Sequence, residues 1–380
     1  MIKYIGSKRR LLPAIRSVVE RLIPGGTVLD LFSGTSRVGH MLKSRGYRVI
    51  ANDHNAYAEV LARCFVVADR KDVERDAVRL IRELNALKGT AGYFTEQYCL
   101  KARFVQPRNG ERVDAIREEI ARKSLEPELE AVLLTSLMMA VDRVDSTTGV
   151  QMAFLKNWAP RSYRDLELRL PHLLERARSG KGRASRLDAL DAAATLRGDL
   201  AYIDPPYNQH SYLGNYHLWE TLALWDRPAT YGVANKRMDC RDRRSVFNSR
   251  ERFAAAFEQL IRALDVRFLV VSFSDEGFLA PKAMEAILRR RGDVEVLTFD
   301  NLRYVGARIG IFDPSGRKVG KVSHTRNNEH VYVVGARGGL SPAVRPAGGG
   351  ILSASGSTPV AAAADRRDGP VRRTAGAGRA

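Results

Sequence analysis

The sequence predicts an α/β protein with a buried parallel sheet, and three stretches of the chain carry this prediction. Residues 27–53 have the pattern of a strand, a turn of small residues, a helix and a second strand. Residues 268–273 form a near-continuous apolar run, as a strand buried on both faces requires. The apolar run at 200–203 ends in Asp-Pro-Pro-Tyr, where two prolines force the chain out of the sheet.

The charge of the chain predicts a polyanionic partner. The 62 Lys and Arg residues against 43 Asp and Glu residues give a formal net charge of +19, which favours nucleic acid. An anionic membrane surface and a general basic bias of composition are the open alternatives. No apolar run approaches the roughly 20 residues that span a bilayer, so we expect no membrane partner.

The three cysteines, Cys64, Cys99 and Cys240, lie far apart in the chain. Their odd number and wide spacing argue against a disulfide or zinc framework and for reduced thiols. We therefore expect a cytoplasmic protein without a metal site.

The β-α-β unit at 27–53 predicts a nucleotide-type site. Asp53 ends the second strand and lies 19 positions after Gly34. In nucleotide-binding folds, an acid at the tip of the second strand takes the ribose hydroxyls. The turn is not a pyrophosphate loop of the Gly-x-Gly-x-x-Gly type, because positions 32 and 36 are Phe and Ser. An adenosine ligand without phosphates therefore fits better than NAD.

The Asp204-Pro205-Pro206-Tyr207 segment predicts a second functional loop. Each proline fixes its own φ and restricts the residue before it, so the loop is rigid before any ligand arrives. It offers a carboxylate, backbone carbonyls and a flat ring, which together suit a planar base with an exocyclic amino group. The alternative is a simple turn after a strand.

Helical patterns fill most of the remaining chain. They cover residues 11–23, 55–90, 113–145, 253–264 and 281–291, with strands at 294–299 and 329–334. Residues 107–110 (Pro-Arg-Asn-Gly) give a turn signal. After Gly335 the chain is rich in Gly, Ala, Pro, Ser and Arg, and we expect residues 336–380 to be a disordered basic tail.

Two segments after the Asp-Pro-Pro-Tyr loop have open interpretations. The aromatic-rich stretch 208–226 could line a base pocket or seat a helix; its members are Tyr212, Tyr216, His217, Trp219 and Trp225. The stretch 227–252 predicts a mobile loop that orders on a phosphate backbone, with a plain solvated loop as the alternative. Its basic residues include Lys236, Arg237, Arg241, Arg243 and Arg244.

Four motifs, taken in order, resemble the D12 class of adenine-specific DNA methyltransferases, the class of the Dam methylase. They are Lys3-Tyr4-Ile5-Gly6-Ser7-Lys8, Asp30-Leu31-Phe32-Ser33-Gly34, Asn52-Asp53 and Asp204-Pro205-Pro206-Tyr207. Residues 207–221 are more similar still to FokI-type modification methylases, and the resemblance covers about residues 1–335. One departure is Ser36, which stands where the family usually has a second loop glycine.

The resemblance implies a Rossmann-like S-adenosylmethionine-dependent methyltransferase sheet with an inserted, mainly helical target-recognition region. The implied parts are a cofactor-binding part (1–60), the insert (61–185), a catalytic part (186–335) and the tail (336–380). The implied cofactor residues are Tyr4, Gly6, Lys8, Asp30, Phe32, Gly34, Asp53 and Asp188, where helix N-capping is an equal alternative for Asp188. The implied catalytic residues are Asp204, Pro205, Pro206 and Tyr207.

The activity that the resemblance implies is methyl transfer from S-adenosylmethionine to N6 of adenine in double-stranded DNA, as the modification part of a restriction–modification system. A cognate restriction endonuclease is then a partner, and we expect a monomer. Transfer to N4 of cytosine, transfer to RNA, and a catalytically silent DNA-binding module stay open. Cytosine C5 transfer is disfavoured because no Pro-Cys nucleophile is present.

Overall fold

The structure is a computed structural model that describes residues 1–6, 8–302, 311–312, 318–320, 326–340 and 352–353. Its strands are β1 (Thr27–Asp30), β2 (Arg48–Asn52), β3 (Arg183–Ser185), β4 (Leu200–Ile203), β5 (Thr230–Tyr231), β6 (Lys236–Arg237), β7 (Phe268–Ser274), β8 (Asp293–Leu302), β9 (Ile311–Phe312), β10 (Lys318–Gly320), β11 (Arg326–Gly335) and β12 (Leu352–Ser353).

Helices alternate with the strands through most of the chain. The α-helices are α1 (Leu12–Leu22), α2 (Arg37–Ser44), α3 (Ala56–Ala62), α4 (Arg70–Ala86), α5 (Tyr93–Thr95), α6 (Pro107–Arg122), α7 (Pro127–Val144), α8 (Ala189–Thr195), α9 (Tyr212–Asn215), α10 (His217–Leu224), α11 (Arg250–Ala263) and α12 (Pro281–Arg289). Short 3₁₀ turns cover Lys8–Arg10, Pro160–Tyr163, Met238–Cys240 and Val246–Asn248, and π-helical turns cover Arg63–Val67 and Glu96–Lys101.

The main sheet confirms the predicted α/β, Rossmann-like architecture. Its strand order in the described residues is β12-β8-β11-β7-β4-β1-β2-β3. The pairs β1–β2, β1–β4, β2–β3 and β4–β7 are parallel, whereas β11 is antiparallel to β7 and β8. The chain moves outward from β1 to β3 and then returns to the other side of β1 with β4. The strand order therefore reverses between β1 and β4, which is where open α/β sheets bind ligands.

Alternating side chains of the central strands supply two apolar cores, one on each face of the sheet. Helices α1 and α2 pack on one face, against residues such as Val28 and Leu200. Helices α8, α11 and α12 pack on the other face, against residues such as Leu29 and Ala201. All seven residues of β7 are buried, as its predicted position in the middle of a covered sheet requires.

A third core lies among the helices that follow β2. It joins α3, α4, α6, α7 and α10 through buried residues such as Tyr57, Leu80 and Leu137. Helix α7 is its central element, with eleven buried residues in its 18. The last residues of the predicted insert, Arg183–Ser185, form β3 and pair with β2, so the sheet takes in that end of the insert.

The turn predicted at residues 107–110 is wrong, because α6 begins there. Pro107 is the first residue of the helix, a position at which its missing N–H costs nothing. Gly110 lies inside the helix, where a Cβ atom would stand 2.4 Å from Cys99 Sγ. The glycine is therefore explained by the close approach of a neighbouring segment, which the local sequence does not reveal.

The segment 227–252 also differs from its prediction, because internal ion pairs order it without a phosphate backbone. Arg237 is 2% exposed, and its Nη1 and Nη2 atoms each lie 2.7 Å from a carboxylate oxygen of Asp226. Arg243 Nη1 lies 2.9 Å from Oε1 of the fully buried Glu220 on α10. Two of the basic residues that suggested a phosphate-binding loop thus anchor the segment to the protein.

The aromatic stretch 208–226 mainly seats a helix. Tyr216, His217 and Trp219 are buried in the helical core, and only Tyr212 lines the main cleft. In the described part of the chain, no helix is long and apolar enough to cross a membrane. Of the predicted disordered tail, residues 341–351 and 354–380 lie outside the described residues, while Leu352–Ser353 pairs with β8.

Candidate active site

A cleft opens where the strand order reverses, at the carboxyl ends of β1, β2 and β4. The cleft is lined by every predicted cofactor residue: Tyr4, Gly6, Lys8, Asp30, Phe32, Gly34, Asp53 and Asp188. It is also lined by Asp204 and Pro206 of the predicted catalytic loop, which therefore opens into the same space.

The turn after β1 and the end of β2 are joined by one hydrogen bond. The Gly34 N–H donates to Asp53 Oδ2 at 3.0 Å, while Asp53 Oδ1 accepts from the backbone and side-chain amides of Asn55. Gly34 has φ +49°, and the ring of Tyr4 lies 3.4 Å from where its Cβ would be. The glycine thus permits both the left-handed turn and the close packing of Tyr4.

Ser36 takes the same left-handed conformation as a glycine would. Its φ is +56° and its ψ is +27°, directly before α2 begins. Its side chain is fully buried, and its Oγ has no hydrogen-bond partner among the described residues. The departure from the family's loop glycine therefore leaves the turn geometry in place, at a cost in backbone strain and in an unsatisfied hydroxyl.

Tyr4 lies at the centre of an aromatic stack on one wall of the cleft. Its ring centroid is 4.5 Å from that of Tyr216 and 5.2 Å from that of Tyr212, with nearly parallel planes. The hydroxyls of Tyr4 and Tyr57 are hydrogen-bonded at 3.0 Å. The N-terminal motif therefore packs against rings from α3, from α9 and from the residue between α9 and α10, which form an aromatic wall of the cleft.

Asp30 is a buried carboxylate that the protein satisfies only in part. It is 1% exposed, and its Oδ2 has no hydrogen-bond partner within the described chain. Burial and the nearby Asp204 carboxylate raise the pKa of Asp30 to about 7, although a hydrogen bond from the Gly39 backbone N–H opposes the increase. Such perturbed, unsatisfied groups cluster where proteins bind ligands or carry out chemistry.

Asp204 follows the buried strand β4 and is held by a cation. Lys8 Nζ lies 3.1 Å from Asp204 Oδ1 and 3.2 Å from Glu329 Oε2. Burial raises the pKa of Asp204 to about 6, and the charge of Lys8 opposes that increase. The carboxylates of Asp204 and Glu329 hold the pKa of Lys8 well above its usual range although burial lowers it.

The rest of the predicted catalytic loop packs beside the cleft. The Tyr207 ring meets Phe273 edge-on at 5.9 Å, and the Lys8 ammonium lies 5.9 Å from its centroid. Pro205 and Tyr207 do not belong to the lining of the cleft, unlike Asp204 and Pro206.

On the opposite wall, Phe32 packs edge-on against Phe247 at 5.1 Å. Asp188 caps α8, because its Oδ1 accepts from Leu190 N at 2.8 Å. It also lines the cleft, so both interpretations of Asp188 agree with its position.

Sequence reasoning missed Glu329, Ser245 and Asn248. Glu329 comes from β11, and nothing in the local sequence places that strand beside the N-terminal motif. Ser245 and Asn248 line both the main cleft and a neighbouring groove. Their position between two basic stretches was the only available signal, and it pointed to DNA rather than to the cleft.

Comparison with known proteins gives a consistent assignment. The family model of the D12 class N6 adenine-specific DNA methyltransferases matches residues 4–287. The type II methyltransferase M.NlaIII of Neisseria lactamica is 30% identical over 315 residues, which are 80% of this chain and 92% of that protein. The type II methyltransferase M.FokI of Planomicrobium okeanokoites is 30% identical over 323 residues, 80% of this chain and 49% of that protein.

Some relatives are much longer than this chain. It spans about half the length of M.FokI and 46% of the modification methylase StsI of Streptococcus sanguinis. Among solved structures, TehB from Haemophilus influenzae aligns with a TM-score of 0.32 at 9% identity, over 84% of this chain and 62% of that one; this score is too low to bear on function. On the family model and the sequence relatives, the chain belongs to the D12 class of N6 adenine-specific DNA methyltransferases.

Proposed function

We propose that this chain transfers a methyl group from S-adenosylmethionine to N6 of an adenine that is flipped out of double-stranded DNA. One observation carries the proposal: Asp204, held by Lys8, opens into the same cleft as the Gly34 turn and Asp53. A carboxylate that can accept from an amino group thus lies beside a site with the features of an adenosine pocket.

The cleft has the donors and acceptors that S-adenosylmethionine requires. Asp53 would take the ribose hydroxyls, and Asp188 the adenine amino group of the cofactor. Three of the buried atoms that lack partners in the described chain, Asp30 Oδ2, Ser33 Oγ and Ser36 Oγ, lie on or beside the same turn, where a polar ligand would satisfy them. When bound, this cofactor supplies an activated methyl group on a sulfonium.

The role of Asp204 follows from the weak nucleophilicity of an aromatic amine. The lone pair of adenine N6 is delocalised into the ring. Asp204 would accept one N–H of the amino group, and a backbone carbonyl near Pro205 would accept the other. These two acceptors draw the nitrogen toward a tetrahedral geometry and aim its lone pair at the methyl group. Positioning and charge placement then supply most of the rate, and no covalent enzyme intermediate is needed.

The target base must leave the duplex to reach Asp204, which costs a few kcal/mol of unstacking and unpairing. Tyr207 would offset part of that cost by stacking on the base, worth about 1–3 kcal/mol. Its edge-on contact with Phe273 holds the ring in place. The stiff Pro205-Pro206 pair fixes the Asp204 carboxylate and the Tyr207 ring relative to each other.

A basic groove beside the cleft supports DNA as the substrate. It is lined by Lys236, Arg244 and Arg252 together with Tyr231, and it shares Ser245 and Asn248 with the cleft. Arg244 and Arg252 are exposed, in contrast to the buried, paired Arg237. Cations in this position suit the phosphates that flank a flipped nucleotide. Residues 61–185 would read the target sequence.

The biological role we propose is the modification part of a restriction–modification system. The relatives are named as type II methyltransferases and modification methylases. Under this role a cognate restriction endonuclease is encoded in the same cell, and methylation at its site protects the host DNA.

The test is transfer of a labelled methyl group from S-adenosylmethionine to duplex DNA, with the product nucleosides resolved and the modified positions mapped. We expect N6-methyladenine at one short sequence. N4-methylcytosine would agree with methyl transfer to an amino group but contradict adenine as the target base. Transfer to RNA alone, or cofactor binding without transfer to either nucleic acid, would contradict the proposal.

A further inference from the structure

The Lys8 ammonium is shared between two carboxylates in a nearly closed environment. It lies 3.1 Å from Asp204 Oδ1 and 3.2 Å from Glu329 Oε2. The side chains of Lys8 and Glu329 are each 6% exposed, and that of Asp204 is 19% exposed. One buried and one partly exposed carboxylate therefore share one buried cation, an arrangement that costs desolvation free energy.

Glu329 has the most rigid position of the three. It lies on β11, opposite Ser274 of β7 on one side and Phe299 of β8 on the other. Lys8, in contrast, projects from a three-residue 3₁₀ turn on a side chain that loses about 2 kcal/mol of rotamer entropy when it is fixed. Glu329 on β11 thus fixes the ammonium at the end of the flexible Lys8 side chain. Glu329 also lies beyond residues 4–287, the part that the family model matches.

We propose that Glu329 is a positioning residue for methyl transfer. It holds the Lys8 ammonium against Asp204 and so fixes the carboxylate that accepts an N–H of the adenine amino group. This inference rests on the proposed function and adds a residue outside the motifs that carry it. Without the Glu329 charge, Lys8 has a single carboxylate partner, and the pKa of Asp204 changes as a result.

The charged groups around Asp204 set its pKa and therefore determine which pH-dependent quantity the experiment should compare. Burial raises the pKa of Asp204 to about 6, Lys8 opposes the increase and Glu329 adds to it. Asp30 on β1 also faces this carboxylate, and its own pKa is about 7. Burial raises the pKa values of the neighbouring phenols, Tyr202, Tyr207 and Tyr212, so they stay neutral near pH 7. Because Asp30 titrates in the same pH range as Asp204, the informative quantity is the shift of the pH profile between variants.

The experiment compares the pH dependence of kcat/KM for DNA in the wild type, Glu329→Gln and Lys8→Met. The ionised Asp204 carboxylate is a stronger acceptor for an amino N–H than the protonated acid, so activity falls on the acid side. Glu329→Gln keeps an acceptor for Lys8 but removes an anion, and the acid limb should move down by about 1 pH unit. Lys8→Met removes the cation, and the limb should move up by about 1–3 pH units.

Two further variants separate positioning from folding. Glu329→Asp keeps the charge, and its acid limb should stay with that of the wild type. Asp69→Asn changes a buried carboxylate that pairs with Lys43 at 3.0 Å outside the cleft lining; it should lower the melting temperature without moving the limb. Glu329→Gln with an unmoved limb, in an active wild type, overturns the role of Glu329 and leaves the proposed function standing. A wild type that methylates no adenine overturns the proposed function itself.

Discussion

Two buried aspartates, Asp114 in the helical region and Asp30 in the cleft, differ in how completely the protein satisfies their hydrogen-bonding capacity. They are 3% and 1% exposed. Asp114 accepts four hydrogen bonds: from the backbone N–H groups of Gly92, Phe94 and Thr95, and from the Thr95 hydroxyl, at 2.6–3.0 Å. Asp30 Oδ2 has no hydrogen-bond partner among the described residues.

The difference separates groups that hold the fold from groups that wait for a ligand. A carboxylate with four donors stabilises the turn that it closes, because each donor and acceptor is satisfied. A buried carboxylate without its full set of partners costs stability, and folds keep such costs mainly at functional sites. Ser36 is a second unsatisfied group beside the cleft. Its φ is positive, and its Oγ has no hydrogen-bond partner among the described residues.

The largest effect on stability is expected at the satisfied aspartate. Asp114→Ala leaves three backbone N–H groups and one hydroxyl of the 92–95 turn without their acceptor. We expect a loss of about 3–5 kcal/mol in the free energy of unfolding, measured by urea denaturation. Glu111→Ala, on the same helix but partly exposed, is the control and should cost less than about 1 kcal/mol. Similar losses for the two variants would remove the contrast.

The opposite sign is expected for Asp30→Asn. The pKa of Asp30 rises from 3.8 to about 7 on folding, so the folded wild type binds this proton more tightly than the unfolded chain. The wild type therefore loses stability as the pH rises from about 4 to about 7, and asparagine avoids that loss. We expect the variant to gain about 2–4 kcal/mol at pH 8 and less at pH 5.

Urea denaturation at the two pH values measures this gain, and isothermal titration should show weaker cofactor binding by the variant. If Asp30→Asn instead destabilises the protein at pH 8, the hydrogen bond from the Gly39 backbone N–H outweighs the cost of burying the charge, and the proposed contrast with Asp114 is wrong.

The smallest effect is expected at Ser36. Its φ of +56° costs about 1–2 kcal/mol relative to a right-handed conformation, and glycine avoids this strain while adding freedom to the unfolded chain. Ser36→Gly should therefore stabilise the protein by about 0.5–1 kcal/mol. Ser17→Gly, inside α1, should destabilise it by a similar amount. Thermal unfolding of the two variants gives the signs, and a loss in both would show that the Ser36 turn is unstrained.

The part of the site built from neighbouring parallel strands could be predicted from the sequence. Residues that follow adjacent parallel strands meet at one edge of the sheet, and the chain from β1 to β2 is continuous and short. Gly34 and Asp53 were expected together on this basis, and they are joined by a hydrogen bond. The Asp-Pro-Pro-Tyr loop was likewise expected after a buried strand, and β4 ends directly before Asp204.

The parts that depend on distant pairing could not be predicted. Glu329 reaches Lys8 because β11 inserts antiparallel between β7 and β8, an arrangement that no local pattern specifies. The partly buried ion pairs of Arg237 and Arg243 depend on where Asp226 and Glu220 lie. In the same way, Gly110 reads as a turn residue until the contact with Cys99 is known. Local propensity gives way to tertiary contacts at each of these positions.

The most direct test of the cleft as the site of transfer is to change an aspartate at each end of β4. Asp204 follows this strand at its carboxyl end, and Asp199 precedes it, where its Oδ2 accepts from Thr27 N at 2.8 Å. Asp204→Ala should lower the single-turnover rate of methyl transfer by at least about 10²-fold and leave the cofactor Kd nearly unchanged. Asp199→Ala should keep the rate of the wild type. Turnover near the wild-type rate in Asp204→Ala would contradict the assignment of the cleft.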